Sequence, residues 1–155
     1  MSAARGSHWF DDDYLQFYWT VQKAVATAKR RAGSRYSPGK VIAELTFDTW
    51  RFLLARRYKT TLWPIVFRGL PDLAAEGRGQ EDFEGQVAVI YGLRNRCAHH
   101  EPSVKSDPLA ETAQLDTFDS ALSQVARRID SDAALWIDKN SRIPALRSNR
   151  PNSLI

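Results

Sequence analysis

The sequence predicts an all-α fold, a helical bundle. Three observations carry the all-α reading. Apolar residues recur at spacings of three and four along most of the 155 residues. Gly33-Ser34, Ser37-Pro38-Gly39 and the Gly69 to Gly79 segment separate those stretches. No run of alternating apolar and polar residues is long enough for a useful strand, and no internal repeat or low-complexity tract interrupts the pattern. One domain spanning 1–155 is the expectation for this length.

The first helix is expected over residues 9–31. Asp11, Asp12 and Asp13 would occupy its first turn, where the helix dipole favours negative charge, and Lys29, Arg30 and Arg31 its last. Leu15, Trp19, Gln22/Val25 and Ala26 would form its apolar stripe. Gly33-Ser34 and Ser37-Pro38-Gly39 make a loop. A second helix is expected from Lys40 to Arg57, burying Val41, Leu45, Thr49/Phe52 and Leu53. A short helix follows with Leu62, Trp63, Ile65 and Phe67, and Pro64 fits near its start. Residues 69–79 read as a polar loop. The third long helix runs 80–98, with Phe83, Val87, Ile90/Tyr91 and Arg94 sharing a stripe, and Glu101-Pro102 would stop it. A fourth covers 109–128 (Leu115, Phe118, Leu122, Val125, then Ile129) and a short one 131–138 (Leu135, Trp136, Ile137). Residues 140–155, with Pro144 and Pro151, read as an irregular tail.

Composition excludes several classes. Hydrophobic residues at 43% and aromatics at 11% can build a core, which rules out disorder for the body of the chain. No run approaches the ~20 apolar residues of a membrane span. The N-terminus carries no apolar secretory core. The single Cys97 permits no internal disulfide, so a cytoplasmic location is the expectation. Net charge is +4 but uneven: residues 1–80 hold 13 Lys/Arg against 7 Asp/Glu, residues 81–155 hold 9 against 11. The excess lies in Lys29-Arg30-Arg31, Arg35, Arg51, Arg56-Arg57 and Lys59. Clustered cations attract phosphate backbones without reading sequence, but as a nucleic-acid signal this is weak, since most Lys/Arg clusters on helical proteins are solvated faces.

Most of the chemistry lies in Arg94-Asn95-Arg96-Cys97-Ala98-His99-His100, which holds two of the three histidines. Cleaving RNA without a metal needs a base for the ribose 2′-hydroxyl, an acid for the leaving 5′-oxygen and a cation for the charged phosphorus centre. Imidazole, with a reference pKa near ~6.5, serves as acid or base, and guanidinium matches phosphate geometry. On an unbroken helix Arg94 and His99 diverge by about 140°, so the helix would have to end or tighten for them to converge. A two-fold dimer would bring two copies together. The plain structural alternatives are that Arg94 bonds a carbonyl or pairs with Glu84 or Glu101, and that His99 is a buried, satisfied cap of the helix C-terminus. A zinc site from Cys97, His99, His100 and His8 lacks a second paired ligand motif. A Cys97 nucleophile is disfavoured because Cys97 reads as core. No Gly-rich phosphate loop or nucleophile elbow occurs.

The string Leu93-Arg94-Asn95-Arg96-Cys97-Ala98-His99-His100-Glu101-Pro102 resembles the signature of Abi-like (abortive infection) proteins, a branch of the HEPN superfamily. Pro38-Gly39-Lys40-Val41-Ile42-Ala43-Glu44-Leu45-Thr46-Phe47 with Trp50, Leu62-Trp63, Trp136-Ile137 and Ser141-Arg142-Ile143-Pro144 extend the resemblance over roughly residues 38–151. It implies an all-α bundle that dimerises. In catalytic members an arginine and a histidine four to six residues apart make a metal-independent endoribonuclease across the dimer, and Arg94 and His99 match that spacing. Carried over, Arg94 would hold the scissile phosphate, His99 would transfer protons and Asn95 would orient the pair. The implied function is phage defence, or a toxin that arrests growth by cutting RNA, with a cognate antitoxin as a partner. The alternative is a non-catalytic RNA- or partner-binding HEPN module. RNA contacts are expected from Arg96, His100, Lys29, Arg30, Arg31, Arg56 and Arg57, with no cofactor, no metal and no membrane. Two departures stand out. The chain starts close to Trp9, so one or two family helices are expected to be missing. Asp48-Thr49 also replaces an expected Gly-Phe before Trp50.

Overall fold

The computed structural model describes residues 8–11, 17–35, 37–70, 73, 79–101 and 105–149. These residues form helices, and among them there is no strand. A 3-10 turn at Trp9–Asp11 precedes α1 (Trp19–Ala32). α2 (Pro38–Glu44) and α3 (Phe47–Leu53) follow, then a 3-10 turn at Arg56–Tyr58 and α4 (Trp63–Arg68). The two long helices are α5 (Gln80–Ala98) and α6 (Pro108–Ile129), with α7 (Ser131–Asn140) and α8 (Ile143–Ser148) after them.

The predicted first helix is divided. Tyr18 is extended (φ −63°, ψ 151°) at the entrance to α1, and its N–H donates to the Tyr58 hydroxyl at 3.0 Å. Asp11 is therefore outside α1, and its carboxylate pairs with Lys29 in the last turn of α1. The buried stripe is Val21, Val25 and Ala28, at spacings of four and three. Trp19, Gln22 and Ala26 are exposed instead. Leu15, Asp12 and Asp13 lie outside the described residues. α1 ends at Gly33, whose φ of +89° is a conformation that L side chains rarely adopt.

The predicted second helix is also divided, between Leu45 and Phe47. Thr46 is extended (φ −78°, ψ 158°) and its Oγ1 accepts from the Thr49 N–H at 3.4 Å, an N-cap that starts α3. Ser37 caps α2 in the same way, accepting from Lys40 N–H at 3.4 Å with Pro38 in the first turn. The break lets one short segment serve two cores. Leu45 and Leu53 join Val21, Val25, Val41, Phe17 and Tyr58 in the first. Phe47 and Leu54 pack with Leu73, Phe83, Val87 and Val125 in the second. α3 thus ties the α1–α2 half to the α5–α6 half.

α3 runs antiparallel to α5. Phe47 stacks on Tyr91 late in α5 (ring centroids 6.0 Å apart, planes at 29°). At the other end the buried Gln80 donates from Nε2 to the carbonyls of Leu54 and Ala55 at 2.7 and 2.9 Å. The Ala55 carbonyl also accepts from the Tyr58 N–H at 2.9 Å, whereas Gln80 supplies the partner of the Leu54 carbonyl at the end of α3, a side-chain cap delivered from a distant residue.

α5 and α6 are joined by a chain of polar groups. Arg128, 1% exposed, reaches Asp82 at 2.8 Å and donates to Gln86 Oε1 at 2.7 Å. Gln86 Nε2 donates to Gln124 Oε1 at 2.6 Å, and Gln124 Nε2 to Ser120 Oγ at 2.6 Å. A guanidinium this deeply buried is tolerable only with partners in place.

The tail predicted to be irregular from residue 140 contains α8. Pro144 sits in its first turn, where a missing N–H costs nothing, and Arg147 reaches Asp116 at 2.6 Å. The apolar residues predicted to line the short helix α7 are not buried: Leu135 and Trp136 are 65% and 67% exposed, and Ala134 is the residue that packs inward. No helix among the described residues is long and apolar enough to cross a membrane.

Candidate functional site at the C-terminal end of α5

Acidic residues Glu81 and Asp82 occupy the first turn of α5 and Arg96 its last, as the helix dipole favours. Hydrogen bonding stays helical up to His99, whose N–H donates to the Asn95 carbonyl at 2.9 Å. The chain then turns sharply. His100 takes a φ of +54°, the only positive φ at a non-glycine among the described residues. Its N–H donates to Cys97 O at 3.3 Å, and the Glu101 N–H donates to Arg96 O at 2.9 Å. This pair of bonds is a Schellman closure with histidine where glycine is usual. The helix is thus ended by its own backbone at His99–His100, ahead of the Glu101-Pro102 stop predicted from sequence; Pro102 lies outside the described residues.

Arg94, Cys97, His99 and His100 are all exposed, and Asn95 and Arg96 are half-buried. The Arg94 guanidinium donates through Nη1 to Asn95 Oδ1 at 3.1 Å. It pairs with neither Glu84 nor Glu101, and His99 is not a buried cap, so both plain structural alternatives lose their geometry. The apolar run predicts Cys97 in the core, and the structure leaves it exposed. On a helix that continues to Ala98, neighbouring positions differ by ~100°, so its polar and apolar sides alternate, and Cys97 falls on the outer side.

The same regularity keeps Arg94 and His99 apart. With α-helical geometry retained from 94 to 98, the two positions differ by about 140° around the axis. Among the described residues no hydrogen bond or ion pair joins them. One chain therefore offers an Arg94–Asn95 pair on one side of the helix end and the imidazoles at its tip.

The predicted basic surface is dispersed. Arg56 lies 3.7 Å from Glu81 at the opposite end of α5. Arg94 is thirteen residues further along that helix, about 20 Å at ~1.5 Å per residue. Arg57 stacks over the Tyr18 ring at 4.0 Å. Lys29 pairs with Asp11 and lies over Phe10. Arg30 and Arg31 are exposed at the end of α1. Arg96 lines, with Lys105, a groove of about 590 Å³ between α5 and α6. Of the expected RNA contacts, Arg96 and His100 sit at the motif, and Arg56 and Arg57 do not.

One cation near the motif escaped the sequence reading as a site residue. Arg51 of α3 holds its guanidinium 4.8 Å from the Tyr91 ring centroid and 5.1 Å from that of Phe52. Tyr91 is one helical turn before Arg94. The signal in the sequence was the i, i+4 spacing of Phe47 and Arg51, legible only once α3 is known to pack on α5. Among the described residues no group of three His, Cys, Asp or Glu side chains gathers to hold a metal ion.

Comparison with protein-family models, with curated proteins and with solved structures finds no match to this chain.

Proposed function

We propose that the protein is a metal-independent endoribonuclease of the Abi-like HEPN type, built from two copies of the chain. The observation that supports it most is the exposure of Arg94, His99 and His100 at one helix end, with Arg94 held by Asn95 rather than by an acid. A guanidinium aligned by a neutral amide keeps its full charge for an anion.

In this reading the Arg94 guanidinium binds the scissile phosphate and offsets the charge that builds on its non-bridging oxygens. One His99 accepts the proton of the ribose 2′-hydroxyl. The 2′-oxygen attacks the adjacent phosphorus and the bond from phosphorus to the 5′-oxygen breaks. The His99 of the second copy protonates that 5′-oxygen, leaving a 2′,3′-cyclic phosphate and a 5′-hydroxyl. The ~140° divergence within one chain favours a site completed by a second copy, since two-fold symmetry supplies both imidazoles at once. The biological role that fits such an enzyme is phage defence, or toxin-like growth arrest restrained by an antitoxin.

The same divergence favours a second reading, a module that binds RNA without cutting it. One experiment separates the two. Purified protein is incubated with total RNA in EDTA beside the His99→Ala and Arg94→Ala variants. Products with 2′,3′-cyclic phosphate ends from the unmodified chain alone are the expected result. Salt-dependent RNA binding without products would establish the binding module instead. Equal cleavage by His99→Ala would overturn the catalytic assignment.

A further inference from the structure

We infer that Arg51 is a second phosphate-binding residue of this site, placed by its stacking on Tyr91 to grip the RNA backbone beside the phosphate held by Arg94. The inference rests on the RNA reading above and extends it to a residue on a different helix.

The geometry has three parts. The guanidinium of Arg51 lies against the Tyr91 and Phe52 rings, at 4.8 and 5.1 Å. Phe47 stacks on Tyr91 as well, so the ring is fixed before any ligand arrives. Tyr91 and Arg94 are three residues apart on α5 and so are neighbours on its surface. Tyr91 therefore connects the two arginines, with Arg51 of α3 against its ring and Arg94 one turn further along α5.

Its hydrogen-bonding capacity is largely unspent. The ion partner is Asp48, at 4.0 Å from Nε, the limit of an ion pair. Nε is buried without a hydrogen-bond partner among the described residues, so the two Nη groups are the donors that would meet an anion. An arginine that is oriented by aromatic contact and still rich in free donors loses little rotamer freedom when it binds an anion. A purely structural arginine in this position would be expected to satisfy Nε with a nearby carbonyl. The planar donors match a phosphodiester, and two guanidiniums on adjacent helices suit successive phosphates of a single strand.

The test uses the full chain and a 2′-O-methyl oligoribonucleotide, which lacks the hydroxyl needed for cleavage. Its affinity is measured against salt for the unmodified protein, Arg94→Gln, Arg51→Gln, Arg51→Lys and Asp48→Asn. Arg51→Gln is expected to weaken binding about tenfold at low salt, the worth of one charge-assisted hydrogen bond. It should also lower the slope of log affinity against log salt by about 0.7, one phosphate contact on a single strand. Arg51→Lys should keep the slope, because the charge remains. Asp48→Asn should tighten binding by removing the competing carboxylate, and it keeps the test decisive should Arg51→Gln not fold.

Weaker binding by Arg94→Gln with Arg51→Gln and Asp48→Asn both equal to the unmodified protein would overturn the inference and leave the RNA reading standing. No affinity of the unmodified protein for the probe at low salt would overturn both.

Discussion

Replacing Gln86 by Leu should destabilise the protein by about 3 kcal/mol, and the structure shows why. Gln86 sits between two helices and bonds to both sides of the polar chain. Its Oε1 accepts from Arg128 at 2.7 Å and its Nε2 donates to Gln124 at 2.6 Å. Leucine keeps much of the volume, so a cavity is a minor contribution. The bond to Arg128 is charge-assisted and worth ~1.5–3 kcal/mol, and the bond to Gln124 is neutral and worth ~0.5–1.5 kcal/mol. The loss on the Arg128 side leans toward the upper figure, because that guanidinium is 1% exposed and water cannot replace the lost acceptor. The Asp82 pair remains, but its carboxylate is 43% exposed and solvent screens its contribution to ~1 kcal/mol or less. The sum falls at ~2–4.5 kcal/mol, and a half-buried Gln86 brings it to about 3. Urea unfolding followed by far-UV circular dichroism should show a lower midpoint with the slope unchanged. In a thermal scan the same loss corresponds to a drop of ~6–12 °C for a chain of this size. The double variant with Arg128→Met should cost less than the two singles added, by ~1.5–3 kcal/mol, since both remove one interaction. A Gln86→Leu protein within 0.5 kcal/mol of the original, at equal slope, would refute the reasoning. It would mean that the chain of amides does not hold α5 against α6.

Other outcomes follow from single contacts. His100→Gly should stabilise the chain by about 0.5–1 kcal/mol, because glycine adopts the +54° φ without steric cost, and it should leave RNA cleavage intact if His99 carries the proton transfer. A fall in stability on thermal unfolding would show that the His100 side chain contributes more than its backbone strain removes. Asp130→Ala should cost about 1–2 kcal/mol in the same assay, because the Asp130 carboxylate caps α7 by accepting from Asp132 and Ala133 N–H, both at 2.9 Å. Phe83→Ala should cost about 3–5 kcal/mol, since the ring is buried in the second core against Trp63 at a centroid distance of 6.0 Å. A loss below 1 kcal/mol there would argue that the second core does not include the start of α5.

Much of this molecule follows from local rules. The all-α class, the extent of the motif helix over 80–98 and the long α6 were legible because each carries a sustained period of three and four with a clear terminus. The place of Arg94, Asn95 and His99 at the end of that helix was also legible, as was the divergence of Arg94 from His99 along unbroken helix. Other features were written in the sequence but outweighed by periodicity. The Thr46-Phe47-Asp48-Thr49 cap divides what reads as one helix, and Tyr18, the N-cap of α1, stands nine residues after the 3-10 turn opens at Trp9. Hydrophobic periodicity marks which residues could share a face, and a cap decides where the face starts again.

What only the tertiary structure decided is which faces meet. Leu135 and Trp136 have the pattern of a buried stripe and remain exposed, because none of the described residues packs over that side of α7. Cys97 lies in an apolar run and faces outward for the same reason. The i, i+4 spacing of Phe47 and Arg51 does not say what they face: Arg51 lies over Tyr91, one turn before Arg94, because α3 packs antiparallel on α5, with Phe47 on Tyr91 and Gln80 closing the other end. Helix formation is set by neighbours three and four residues away, whereas a site drawn from two helices is set by packing between residues some forty positions apart, which local sequence does not encode.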